Sequence, residues 1–300
     1  MSFREGDEPR RGGQSPDRTE RRRPSRISPL LLLLAVLLLA MLALGAVLLW
    51  RSLGDSISGT SVTKDSIDSA GPEPHVQLTN AAGRVRVEGV KGLKSVEYEA
   101  TRYAMGRDPA AAKQRASEVP VDISREDSKI VIETNGGRNT GADYTLKVPT
   151  AAAVKVESEA GDVEVTGLSG NVTVAAEAGD VTVTDVGGDV KVEAPQGDVT
   201  VGDVNTDTGG AELEVGSGDV FLKDLVVGTL EASVEAGTVT LSGRFSGGGR
   251  VSVQTGDIIA RIPPEDTRDL ILESRVGSVL RESPDGSSNG QGPEKQEKGS

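Results

Sequence analysis

The chain has 300 residues, no cysteine, one histidine, 38 glycines and a formal net charge of −13 at pH 7. The absence of cysteine excludes disulfides, zinc–thiolate sites, iron–sulfur clusters, thiol nucleophiles and a cysteine-linked lipid anchor. Few aromatics (3 Tyr, 3 Phe, 1 Trp) and the acidic balance exclude a base-stacking platform and a nucleic-acid surface.

Residues 1–28 read as a disordered, Arg-rich cytoplasmic tail, with eight arginines and five acids in the first 26 positions and no apolar periodicity. Residues 29–50, PLLLLLAVLLLAMLALGAVLLW, carry no charge. As a helix they extend about 32 Å, enough to cross a bilayer core of about 30 Å. Pro29 suits the first helical turn, Leu30 opens the apolar run, and Trp50 suits the membrane–water interface. Seven arginines lie within the twenty residues before the run, against Arg51 and Lys64 in the twenty after it. The positive-inside rule therefore predicts a single-pass plasma-membrane protein with a cytoplasmic N-terminus. The bilayer is the expected partner of residues 29–50. Ala43-Leu44-Gly45 resembles a signal-peptidase site, but the apolar region of a cleaved signal spans only about 7–15 residues.

Residues 51–74 are rich in Ser, Gly and Asp and read as a flexible stalk. Residues 282–300 read as a second disordered tail. Between them lies a domain, 75–281, dominated by a short repeat. Gly-Asp-Val recurs at 161–163, 179–181, 197–199 and 218–220, with Gly237-Thr238-Val239, Gly256-Asp257-Ile258 and Gly277-Ser278-Val279 continuing the series. Gly170-Asn171-Val172 and Gly188-Asp189-Val190 fall halfway between early members. Each turn precedes an alternating strand such as Val181-Thr182-Val183. Strands this short bury no useful core alone, whereas stacked at about 4.8 Å they bury a continuous column of valine. The expected fold is all-β: a β-solenoid with coils of 18–21 residues, plus the N-terminal transmembrane helix. Residues 75–156 read as an irregular, capping start of the same stack. They include a short helix at 108–117 with Asp108 as cap and Pro109 at its first position.

The opening VQLTNAAGRVRVEGV, the helical insert, the segment DYTLKVPTAAAVKVESEAGDVEVTGLSGNVTV and the GDV repeats together resemble the bacterial putative-adhesin family of β-strand-repeat domains, a family of unknown function, over about 75–280. The resemblance implies exposure at the cell surface. It carries over no catalytic residue.

Several residues are candidates for chemistry. Asp162, Asp180, Asp198, Asp219 and Asp257 recur in register and are expected to stack along one edge, either as turn formers or as a calcium ladder. Calcium needs six to eight oxygens, and one Asp per unit supplies few, so no metal or other cofactor is expected. His75 follows Pro74 with no Ser or Asp motif to make it a catalytic base. Thr182, Thr184, Thr200, Thr240 and Ser242 form an outward array of ordinary strand formers. The primary expectation is a non-enzymatic cell-surface protein for adhesion, envelope binding or scaffolding. Its expected partners are cell-wall or surface glycans or envelope proteins. One alternative is an envelope-stress sensor signalling through the membrane helix to the Arg-rich tail. Another is a carbohydrate-active β-helix enzyme with paired carboxylates.

Overall fold

Alternation of valine with polar residues builds the strands. In β8 (Ala153–Ser158), β9 (Val163–Leu168), β10 (Val172–Ala176), β11 (Val181–Val186) and β12 (Val190–Gln196), the valines are buried at every second position. The structure, a computed structural model, describes residues 57–282 apart from 69, 70, 72, 138 and 264–268. The chain divides into two units, 1–54 and 55–300, and the described residues all belong to the second. The Arg-rich tail, the apolar run from Leu30 to Trp50 and the tail after Glu282 lie outside the described residues. Among the described residues, no helix is long and apolar enough to cross a membrane.

The strands stack into two parallel sheets that the chain visits alternately. In one sheet β8, β10 and β12 pair in order, with Val172 between Val154 and Val190. In the other β9 pairs with β11, with Val163 beside Val181. β13 (Val199–Ser217) and β14 (Val220–Ala236) pass through the far corner and serve both sheets. The stack continues through β15 (Val239–Phe245), β16 (Gly249–Thr255), β17 (Ile258–Arg261), β18 (Leu270–Val276) and β19 (Val279–Glu282). Six coils run from Val172 to Glu282, with register partners such as Val181 and Val199, Val199 and Val220, and Val220 and Val239. This is the solenoid that the spacing predicts. Its valines and leucines join one continuous buried cluster from Val76 to Leu270, each fully buried side chain contributing about 1.5–3 kcal/mol.

The start of the stack is built out of chain order. β2 (His75–Asn80) and β3 (Val85–Val90) form one coil. β2 lies between β6 (Lys129–Thr134) and β8, and β3 lies between β7 (Thr140–Pro149) and β9. The terminal coil, β6–β7, is closed by antiparallel strands. β4 (Ser95–Gly106) pairs with β7, β1 (Ile57–Asp68) with β4, and β5 (Asp122–Glu126) with β6. The helix α1 (Pro109–Ser117) starts as expected, with the Asp108 side chain accepting the Ala111 amide at 2.9 Å. It lies close to two glycines: a Cβ on Gly106 would come within 2.7 Å of the Ala112 Cα.

One expectation is corrected. Residues 57–68 are not part of a flexible stalk; they are β1, paired along twelve residues with β4. None of its described side chains is fully buried, so the strand has no apolar alternation to announce it. Backbone pairing holds it, together with a Lys64–Glu99 ion pair at 2.9 Å and the Arg102 guanidinium, which donates to Ser61 Oγ (3.3 Å) and Thr63 Oγ1 (3.0 Å). The domain therefore begins at β1 rather than at residue 75.

Candidate functional site

Near the capped end, strands β3, β4 and β7 frame an open groove of about 820 Å³. Arg84 enters it from the β2–β3 turn, Arg86 and Glu88 from alternate positions of β3, Tyr103 from β4, Asp143 and Thr145 from β7, and Asp162 from the β8–β9 corner. Alternation along β3 buries Val85 and Val87 and leaves Arg86 and Glu88 exposed. Asp143 Oδ1 accepts the Arg84 amide at 2.8 Å. The Arg84 guanidinium reaches Asp162 Oδ2 at 3.3 Å, and that of Arg86 reaches Glu164 Oε2 at 2.6 Å. Both arginine side chains are more than half exposed, so these pairs add little stability and leave donors available to a ligand.

Tyr103 covers Gly141, where a Cβ would overlap its ring. Burial, reinforced by the nearby Asp143 carboxylate, pushes the Tyr103 hydroxyl above its usual pKa, so it remains a hydrogen-bond donor near neutral pH. The groove thus combines two guanidinium forks, a phenol and three carboxylates. That set suits a ligand bearing hydroxyls together with carboxylate or phosphate groups.

The five aspartates stand in one column of corners. Asp162, Asp180, Asp198 and Asp219 occupy successive coils, and Thr238 separates Asp219 from Asp257. Each Oδ1 accepts a backbone amide of the next coil: Asp180 at 3.3 Å, Asp198 at 3.0 Å, Asp219 at 2.8 Å, Thr238 at 2.8 Å and Ser278 at 2.7 Å. Asn171 and Asp189 repeat the device at the opposite corner, accepting the Asp189 and Gly210 amides. The column therefore works as an inter-coil staple. Among the described residues, no three His, Cys, Asp or Glu side chains converge on a point where a metal ion would sit.

His75 is exposed at the start of β2, between Lys129 and Ala153. Thr182, Thr200 and Thr240 share one outward column, which Phe221 interrupts. Thr184 lies beside Gly202, and Ser242 beside Arg261. The groove residues were not singled out from sequence. The available signal was RVRV at 84–87, two arginines at alternate positions in an acidic chain. A further set, Asp185, Asp203 and Asp224, adopts left-handed backbone with φ of 52–55° and bends successive coils outside the Gly-Asp-Val pattern.

The sequence profile of the Toastrack DUF4097 family matches residues 94–299. Among solved structures, the chain is similar to a putative adhesin from Parabacteroides distasonis, with 17% identity, 76% of this chain and 98% of that chain covered, and a TM-score of 0.45. It is similar to a putative adhesin from Bacteroides fragilis, with 13% identity, 74% and 97% coverage, and a TM-score of 0.43. It is also similar to a putative cell adhesion protein from Clostridium sporogenes, with 9% identity, 74% and 100% coverage, and a TM-score of 0.32. No curated protein matches.

Proposed function

This chain belongs to the Toastrack DUF4097 family, and from that premise we propose a non-enzymatic binding protein of the bacterial cell surface. Residues 29–50 anchor it in the plasma membrane, and the solenoid lies outside. Its ligand is an acidic, hydroxyl-rich polymer of the envelope, such as a cell-wall glycan carrying carboxylates or phosphates. The observation that carries this reading is the groove: Arg84 and Arg86 present exposed guanidiniums beside Tyr103 on a scaffold otherwise rich in carboxylates. A rigid stack with stapled corners supports binding because the groove loses little freedom when occupied. The test is retention of the purified full chain, in detergent, on isolated acidic cell-wall polysaccharide. The Arg84→Ala/Arg86→Ala variant is expected to lose about tenfold in affinity with unchanged circular dichroism, and no reducing ends are released. Equal retention of both proteins, or cleavage of the polymer, overturns the reading.

One observation favours a second reading, a sensor signalling through residues 29–50. β1 follows that segment in the chain and is held on β4 without a fully buried side chain of its own, so its release withdraws none of its side chains from the core. That reading requires a cytoplasmic partner crosslinked to residues 1–28.

A further inference from the structure

We propose that two copies of this chain pair tail to tail through the free edge of β18, antiparallel and centred on Ser274. Among the described residues β18 pairs only with β16, and β19 only with β17. At the other end of the stack the edges are formed by the antiparallel strands β1 and β5, which among the described residues pair only with β4 and β6. β19 is blunted, because Arg281 occupies the register position of buried Ala260, and an inward charge at an edge discourages pairing.

β18 has no such protection. Gly249 donates its amide to the Asp269 carbonyl. By the alternation of a parallel ladder, the amides and carbonyls of Leu270, Leu272 and Ser274 then face the free edge.

The residue types change on this coil. Val276 continues a corner column of Gln196, Ser217, Ala236 and Thr255, yet it is the one branched aliphatic side chain of that column and is 62% exposed. Ile271 continues an outward column of Lys191, Glu212, Glu231 and Arg250, and is 45% exposed. Branched aliphatic side chains thus occupy these two positions on the last coil of the described residues.

The strand is self-complementary. With Ser274 on a two-fold axis, Glu273 of each copy faces Arg275 of the other, and Leu272 faces Val276. Arg275 is exposed and has no acidic partner among the described residues, whereas Glu273 bonds Arg250 at 3.0 Å. Residues 283–300 contain no Ala, Val, Leu, Ile, Met, Phe, Tyr or Trp, so their composition offers no apolar side chain to match Ile271 and Val276. A pairing of β18 with its own copy about a two-fold axis uses the same edge on both chains, so the assembly stops at an isologous dimer. The inference is independent of the groove, whose arginines lie on β3 and the turn before it.

The experiment is sedimentation velocity on the purified full chain in detergent, from about 0.1 to 100 μM. A concentration-dependent dimer is expected. Arg275→Glu weakens it about tenfold, and Glu273→Arg/Arg275→Glu restores it to within about threefold of the parent. The chain lacks cysteine, so Ser274→Cys provides a single thiol, and a short bis-maleimide, which adds one thiol at each end, is expected to join it to its own copy. A species of constant mass over that range overturns the proposal. So does a dimer whose affinity Arg275→Glu leaves unchanged, which is the outcome if copies meet elsewhere, for example through residues 29–50.

Discussion

Gly197 lies directly against Gly179 one coil away: a Cβ on Gly197 would overlap the Gly179 carbonyl oxygen and sit 2.6 Å from its carbonyl carbon. The backbone of Gly197 also has φ +135°, outside the range of ordinary side chains. Gly197→Ala is therefore expected to cost about 3 kcal/mol in urea unfolding. Gly202 provides the contrast. Its φ is not positive and its nearest neighbour, Thr184 Cγ2, would be 3.6 Å from a Cβ, so Gly202→Ala should change stability by less than about 1 kcal/mol. Equal losses at the two sites would refute the stacked-corner account.

The Asp staple predicts an acid limit. Asp257 Oδ1 accepts both the amide (2.7 Å) and the hydroxyl (2.8 Å) of Ser278. These bonds hold its carboxyl below the ordinary value of 3.8, the backbone bond most strongly. A carboxyl depressed in the folded state stabilises above its unfolded pKa and loses that contribution as pH falls through the folded value. Unfolding midpoints should therefore drop below about pH 4, and Asp257→Asn should flatten that drop. An identical acid profile in the variant would show that other carboxylates set the limit.

The alkaline limit has a different origin. Tyr144 is 1% exposed, and its hydroxyl is hydrogen-bonded to Thr134 Oγ1. Burial raises its pKa above 10, only partly opposed by the Thr134 bond. Stability is then present below the unfolded pKa and is lost as pH rises through the folded value. Tyr144→Phe should cost about 1 kcal/mol at neutral pH through the lost bond, yet lose less than the parent above about pH 10. Parallel curves for the two proteins from pH 8 to 11 would contradict this.

Arg102 ties the first strand to the cap. Its guanidinium reaches Ser61 and Thr63 on β1, the Ser117 carbonyl at the end of α1 and the Val119 carbonyl just after it. Arg102→Ala is expected to accelerate amide exchange in β1 at least about tenfold while leaving β9–β12 unchanged. Exchange that rises uniformly across the domain would mean that β1 is not a separable element.

The Gly-Asp corners, the valine column, the coil length and the Asp108 cap were all legible in the residues. In a solenoid each coil touches only its neighbours, so a local period such as Val163, Val181 and Val199 already specifies the tertiary contacts. The β-repeat family was legible for the same reason.

Other features depend on pairings between distant segments. β1 is polar because it buries no side chain completely, so its pairing with β4 left no pattern to read. The insertion of β2 between β6 and β8, and of β3 between β7 and β9, reverses chain order, and alternation within a strand records only which face is buried, never which strand lies beside it. That insertion brings Arg84 to Asp143 and Asp162, and so creates the groove. Periodic burial could be inferred along the chain because it is a local property. The site arose only where the chain departed from the period, and there the folded structure decided.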